Sequence, residues 1–132
     1  MLLLGKGETE AEIRQLVTEL GLDNKVVMLG YRTNPYPFIQ NAKALILTSD
    51  AEGLPRVLIE ALLLHTPVIS VDCPSGPREI LTDSLADYLV DQDDEKGLAE
   101  AIARMDSSPV EVDERYYQQF LTENVLPKFE AL

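Results

Sequence analysis

The 132-residue sequence contains one cysteine, one histidine and no tryptophan. With Cys73 alone an internal disulfide is excluded, and one cysteine with one histidine cannot complete a four-ligand structural zinc site. Long hydrophobic runs are also lacking. No stretch approaches the roughly 20 apolar residues of a membrane span, and the opening MLLLGKGETE has neither the basic start nor the cleavage site of a secretion signal. The chain is therefore expected in the cytosol, with no transmembrane segment. Basic side chains are scarce, 11 against 23 acidic ones, for a net charge of −12. That excess repels phosphate backbones and anionic lipid headgroups at long range, so no nucleic-acid partner is expected. A small nucleotide held by local amides remains compatible with it.

Hydrophobic residues make up 45% of the chain, enough for a single α/β domain over residues 1–132 with one core. Short aliphatic runs alternate with amphipathic stretches, the pattern of a parallel sheet with helices on both faces. The runs span residues 2–4, 26–29, 44–48, 68–71 and 88–90, which predicts about five strands. Residues 10–20 form a helix with Ile13, Leu16, Val17 and Leu20 on one face and Gly21 ending it in a left-handed turn. Further helices are predicted over 35–42, with Asn34 as cap and Pro35 in the first position, then 55–64, 76–81 and 94–105, with Leu98, Ile102 and Met105 inward. After 55–64, Pro67 prevents continuation. Residues 112–129 have a mixed helical pattern broken near Pro127.

The segment that carries chemistry is TSDAEGLPRVLIEALLLHTPVIS, residues 48–70, where a strand runs through a glycine-containing turn into a helix. The first N–H groups of such a helix lack intrahelical partners and point past the sheet edge, forming a seat for phosphate. Gly53 allows close approach to the backbone, while Pro55 removes one donor. The amides of Leu54, Arg56 and Val57 remain. Glu52 and Glu60 stand eight residues apart, on the order of 10 Å along a helix axis. One carboxylate can accept bonds from vicinal sugar hydroxyls and the other from a ribose, with a diphosphate between them. Glu60 sits among aliphatic residues, where an unpartnered charge is costly. Against this stands the ordinary arrangement of a glutamate near a helix N-terminus and another on its wet face.

The run EGLPRVLIEAL followed by HTPVISVDCPSGPREIL resembles the hallmark segment of the retaining glycosyltransferases of family 4, which have the GT-B architecture of two facing Rossmann-like lobes. The likeness extends to LLLGKGETEAEIRQLVTELGL, KVVMLGYR and YLVDQDDEKGLAEAIARM, nearly the whole chain. It implies a Rossmann-like donor lobe, α/β with an open parallel sheet. It further implies that Glu52 contacts donor-sugar hydroxyls and Glu60 the ribose, that amides from Gly53 to Val57 meet sugar and diphosphate, and that Gly30, Tyr31 and Arg32 border the base. Pro55 replaces a glycine common in the family, and His65 a small residue. The strand-helix unit with which family members begin this lobe, bearing an Arg and Lys pair, and the N-terminal acceptor lobe have no counterpart here.

Other groups carry simpler readings. Asp91 and Asp93 form an Asp-x-Asp string at the start of a helix, a capping position rather than a metal site. Cys73 reads as packing and His65 as a helix end, not as nucleophile and base. Ser75 to Glu79 is a second strand-to-helix turn with its own cap, or an acceptor-side element by family analogy. The expected function is transfer of a sugar, with retention, from a nucleotide diphosphate sugar, a UDP-sugar, to a glycan or lipid-linked acceptor. No metal or cofactor is required. The expected partners are the nucleotide-sugar, the acceptor lobe, which would reach the inner face of the membrane, and a second copy if the missing central strand must be borrowed. The rival readings are a noncatalytic module that binds a nucleotide or a partner, and a nucleotide-sugar epimerase lobe.

Overall fold

The structure, a computed structural model, describes residues 1–124. The chain divides into two compact units, Met1–Pro35 and Tyr36–Leu132. The first holds strand β1 (Leu2–Leu4), helix α1 (Glu10–Glu19) and strand β2 (Val27–Gly30). The strands run parallel, with Leu2 opposite Val27 and Leu3 opposite Met28, before an irregularity brings Leu4 opposite Gly30. Helix α1 ends as its glycine predicts. Gly21 takes φ 65°, and the N–H groups of Gly21 and Leu22 donate to the carbonyls of Thr18 and Val17 at 3.0 and 2.9 Å. These two bonds satisfy carbonyls that the helix end would otherwise orphan. The apolar face of α1 is present but uncovered: Ile13, Leu16 and Leu20 remain 40%, 52% and 61% exposed.

The second unit contains α2 (Tyr36–Gln40), β3 (Leu45–Leu47), α3 (Arg56–Leu63), β4 (Val68–Val71), α4 (Pro77–Ile80), β5 (Leu89–Val90) and α5 (Glu95–Ser107). Short 3-10 turns span Asp83–Tyr88, Glu114–Tyr116 and Gln118–Phe120. The strands form a parallel sheet in the order β3-β4-β5, with Leu45 opposite Val68 and Ser70 opposite Leu89. Helix α3 packs on β3 and β4, and α5 on β4 and β5. Leu58, Ala61 and Leu62 of α3, Val68 and Ile69 of β4, Ile80, Leu85, Ala101, Met105 and Tyr116 make the core of this unit. Each buried large aliphatic side chain contributes roughly 1.5–3 kcal/mol. Leu98 and Ile102 pack against this core while partly exposed. The buried polar Thr66 donates its hydroxyl to the carbonyl of Ile39 at 2.9 Å, which removes the cost of an unpaired group.

The α/β architecture with parallel strands is as expected, and every predicted strand has a counterpart within one or two residues. The sheet differs. The described strands form two separate sheets, of two and three strands, rather than one of five. Sequence periodicity marks where a strand lies but not which neighbour it pairs with. Pro55 precedes α3 instead of opening it, with φ −74° and ψ 84°. The end of α3 is not made by Pro67. His65 adopts φ 59°, and the N–H groups of His65 and Thr66 donate to Leu62 and Ala61 at 2.9 Å each, the same closure that Gly21 gives α1. Neither Asp91 nor Asp93 caps α5; Asp94 does, accepting from the Gly97 amide at 2.9 Å. In the tail, Pro127 and Phe129 lie outside the described residues. No helix among the described residues is long and apolar enough to cross a membrane.

Candidate functional site

Parallel strands deliver their connections to one edge of the sheet, and in the second unit the loops after β3, β4 and β5 meet at the carboxyl edge. The first of these loops, residues 48–55, leads into α3 and carries Glu52, Gly53, Leu54 and Pro55. Gly53 and Leu54 are exposed, Pro55 is buried, and Glu52 is half-buried. Arg56 and Val57 form the first turn of α3, exposed and half-buried respectively, with no side-chain cap. The Leu58 amide donates to the Pro55 carbonyl at 3.0 Å. The amides of Gly53, Leu54, Arg56 and Val57 have no backbone acceptor among the described residues. These are the donors that a helix start leaves for solvent or for an anion.

Glu60 is the fifth residue of α3, half-buried, on a helix whose neighbouring residues Leu58, Ala61 and Leu62 are fully covered. Among the described residues, neither the Glu52 nor the Glu60 carboxylate receives a hydrogen bond or an ion pair. Glu52 and Glu60 precede and follow these amides in the sequence; such carboxylates can accept from hydroxyl groups, and such amides can donate to an anion. Only three residues, Gly53, Leu54 and Pro55, separate Glu52 from Arg56, the first helical residue, and they are nonhelical. The eight-residue separation is therefore not all helix, as the axial spacing had assumed.

Gly30, Tyr31 and Arg32 lie in the first unit, immediately at and after the end of β2. Gly30 has φ 66°, a conformation that glycine adopts without strain, and its carbonyl accepts from the Gly5 amide at 3.0 Å. Tyr31 is 65% exposed, with the Lys6 ammonium 5.7 Å from its ring centroid. Arg32 is exposed.

The loops on either side of the first one hold it by its carbonyls. From the loop after β4, the Ser75 hydroxyl donates to the Glu52 carbonyl at 3.0 Å. From the loop after β5, the Gln92 side-chain amide donates to the Asp50 carbonyl at 2.8 Å. Ser75 thus does not cap α4, contrary to the sequence expectation; the residue ahead of that helix is Gly76, with no side-chain cap. Its hydroxyl had a stronger use across the sheet edge than along its own chain. The same loop lines a shallow cavity of about 340 Å³ with Asp72, Cys73, Arg78 and Gln92, where Arg78 pairs with Asp72. Sequence reasoning missed Ser75 and Gln92 as contributors to the first loop, since neither carries a signal of its cross-loop partner.

Cys73 and His65 are not brought together. His65 precedes β4 and Cys73 follows it, so they stand at opposite ends of that strand. Cys73 is buried, and the His65 ring meets the Val112 carbonyl at 3.2 Å and the edge of Tyr117. Among the described residues no group of three or more histidine, cysteine, aspartate or glutamate side chains is placed to hold a metal ion.

Residues 1–120 match the family model described as "Glycosyl transferases group 1", and the chain belongs to that family. It is 44% identical over 85 residues to an uncharacterized glycosyltransferase of Methanocaldococcus jannaschii, covering 64% of this chain and 21% of that protein. It is 33% identical over 105 residues to the N-acetylgalactosamine-N,N'-diacetylbacillosaminyl-diphospho-undecaprenol 4-alpha-N-acetylgalactosaminyltransferase of Campylobacter jejuni, covering 80% and 29%. Among solved structures, a mutant of S. aureus TarM in complex with fondaparinux, alpha-GlcNAc-glycerol and UDP superposes with a TM-score of 0.87 at 24% identity, over 98% of this chain and 28% of that one. The fold is that of part of a GT-B glycosyltransferase. The chain spans about a fifth to a third of the length of the curated relatives it matches.

Proposed function

We propose that residues 1–132 are the donor-binding lobe of a retaining glycosyltransferase of family 4, working with an N-terminal lobe that binds the acceptor. The observation that carries this reading is the pair of partnerless, half-buried carboxylates, Glu52 and Glu60, which precede and follow in the sequence the free amides that open α3. In this reading Glu52 binds donor-sugar hydroxyls and Glu60 the ribose. The diphosphate rests on the amides of Gly53, Leu54, Arg56 and Val57, with Pro55 shaping the turn without donating. Gly30, Tyr31 and Arg32 border the base. The donor is a UDP-sugar and the acceptor a glycan or a lipid-linked saccharide. Membership of the family supports sugar transfer, the undecaprenol-linked acceptor in the name of the Campylobacter relative supports the acceptor class, and the UDP in the S. aureus complex supports the base.

During transfer, the bond from the anomeric carbon to the diphosphate oxygen breaks as a bond to the acceptor oxygen forms. The acceptor's proton passes to the departing diphosphate. Preorganised amides at the start of α3 stabilise the charge that accumulates on that diphosphate, so no metal ion is needed for it. Calorimetry with a UDP-sugar tests the site. Saturable binding is expected, and Glu60→Ala is expected to weaken it about tenfold or more, the worth of hydrogen bonds to a charged group. Glu52→Gln is expected to lower turnover of the full-length protein while its fold is kept, with transfer product of retained configuration seen by NMR. Absence of UDP-sugar binding would leave only an interaction role, and isomerised donor without transfer would identify an epimerase.

A further inference from the structure

We propose that Ser75 and Gly76, in the turn after β4, are positioning residues that aim the donor-binding amides of the turn after β3. The inference rests on the donor-site reading above and adds to it the question of what orients Gly53 and Leu54. That turn has no side-chain cap and no backbone ladder of its own. Its peptide groups are held from outside instead. A peptide unit is planar and trans, so its C=O and N–H point in opposite directions. The Glu52 carbonyl shares a peptide unit with the Gly53 amide. When Ser75 donates to that carbonyl at 3.0 Å, the Gly53 N–H is turned away from the β4 turn.

Gly76 acts on the next peptide unit by what it lacks. A Cβ placed on it would lie 2.3 Å from the Gly53 carbonyl oxygen and 2.5 Å from the Cδ of Pro55. Both obstacles are stiff, one backbone and the other a ring, so neither can yield as a flexible side-chain end would. The Gly53 carbonyl occupies the space of the missing side chain, and the Leu54 N–H of the same unit points the other way. Gly76 also has φ 89°, which strains any residue with a Cβ. A Cβ added at Gly53 itself meets nothing within 4 Å, so the close approach of the two turns is confined to the Gly76 position. Two consecutive residues of one turn therefore set two consecutive amides of another.

Four forms of the full-length protein test this with UDP as the probe: the wild type, Ser75→Gly, Ser75→Asn and Gly76→Ala. Ser75 has φ 62°, which glycine and asparagine both tolerate, so these two variants differ mainly in whether a donor remains. Ser75→Gly is expected to raise the Kd for UDP about fivefold, as for one lost hydrogen bond, and Ser75→Asn to bring it back to within about twofold of wild type. Gly76→Ala is expected to raise it about tenfold or more, because the carbonyl it meets has nowhere to go. In the ligand-free protein, the amide NMR signals of Gly53 and Leu54 should move in Gly76→Ala and in Ser75→Gly. Unchanged Kd in both Ser75→Gly and Gly76→Ala overturns the proposal while leaving the donor site standing. Failure of the wild type to bind UDP removes the donor reading; the Gly53 and Leu54 signals then decide the positioning alone, and signals that stay put overturn it. Should Gly76→Ala not fold, the Ser75 pair decides the matter.

Discussion

The two compact units are written in the same pattern of short strands and amphipathic helices, yet they use it differently. In residues 36–124 the helix faces are covered: Leu58 and Leu62 of α3 and Met105 of α5 are almost fully removed from water. In residues 1–35 no residue is fully buried, and α1 shows the apolar stripe Ile13, Leu16 and Leu20 to solvent. Two strands with one helix offer too little surface to enclose an apolar stripe, whereas three strands with helices packed on them do enclose it. Periodicity therefore announces a face that can be buried, and the number of partners decides whether it is.

The sharpest way to break that contrast is to truncate one leucine from each helix. Leu62→Ala is expected to cost about 3 kcal/mol in urea unfolding, from lost burial plus the cavity left behind. Leu16→Ala is expected to cost within about 0.5 kcal/mol of nothing. Comparable losses at the two positions would mean that the α1 stripe is covered in the working protein. Next in size are the helix ends, which are closed in the same way in the two units by different residues. Gly21→Ala places a Cβ at φ 65° and is expected to lower stability by about 1 kcal/mol. His65→Gly relieves the matching strain but gives up the contact of the ring with the Val112 carbonyl, so thermal melting is expected to show a net change within about 0.5 kcal/mol. A large loss in His65→Gly would show that the imidazole anchors residues 112–117 rather than merely ending α3.

The smallest effect concerns charge at the surface of the second unit. Hydrogen bonds from the Arg115 side chain, then from its backbone N–H, hold the Asp113 carboxyl below its ordinary pKa. A depressed folded pKa adds stability above the unfolded value, and that stability disappears as pH falls through the folded value. Arg115→Met is therefore expected to return the Asp113 titration toward the usual carboxylate range, read from its carboxyl carbon by NMR. The acid limb of the stability curve should flatten slightly below about pH 4. The pair is half exposed, and solvent screening keeps this effect small.

Much of the local structure was legible from residue types. Gly21 ended α1 as its lack of a Cβ predicts, and the aliphatic runs at 2–4 and 68–71 became strands with those bounds. The family-like segment 52–60 runs, as its glycine and proline followed by an aliphatic helical pattern predict, from the loop after β3 into α3. Other features were hidden for definite reasons. Asp94 rather than Asp91 or Asp93 caps α5, since adjacent aspartates are chemically alike and only the backbone path selects one. Ser75 looked like a cap to its own helix because short-range partners are visible in sequence, while the Glu52 carbonyl, 23 residues away, is not.

Residue order alone determined which segments could be strand or helix and where helix α1 would stop. Those are consequences of side-chain shape, periodicity and backbone freedom within a few residues. Only the tertiary structure decided that the strands pair as two sheets, that one apolar stripe is buried and another is not, and that the turn after β4 grips the turn after β3. Such outcomes depend on which distant groups compete for the same surface or the same hydrogen bond, and that competition is settled in space.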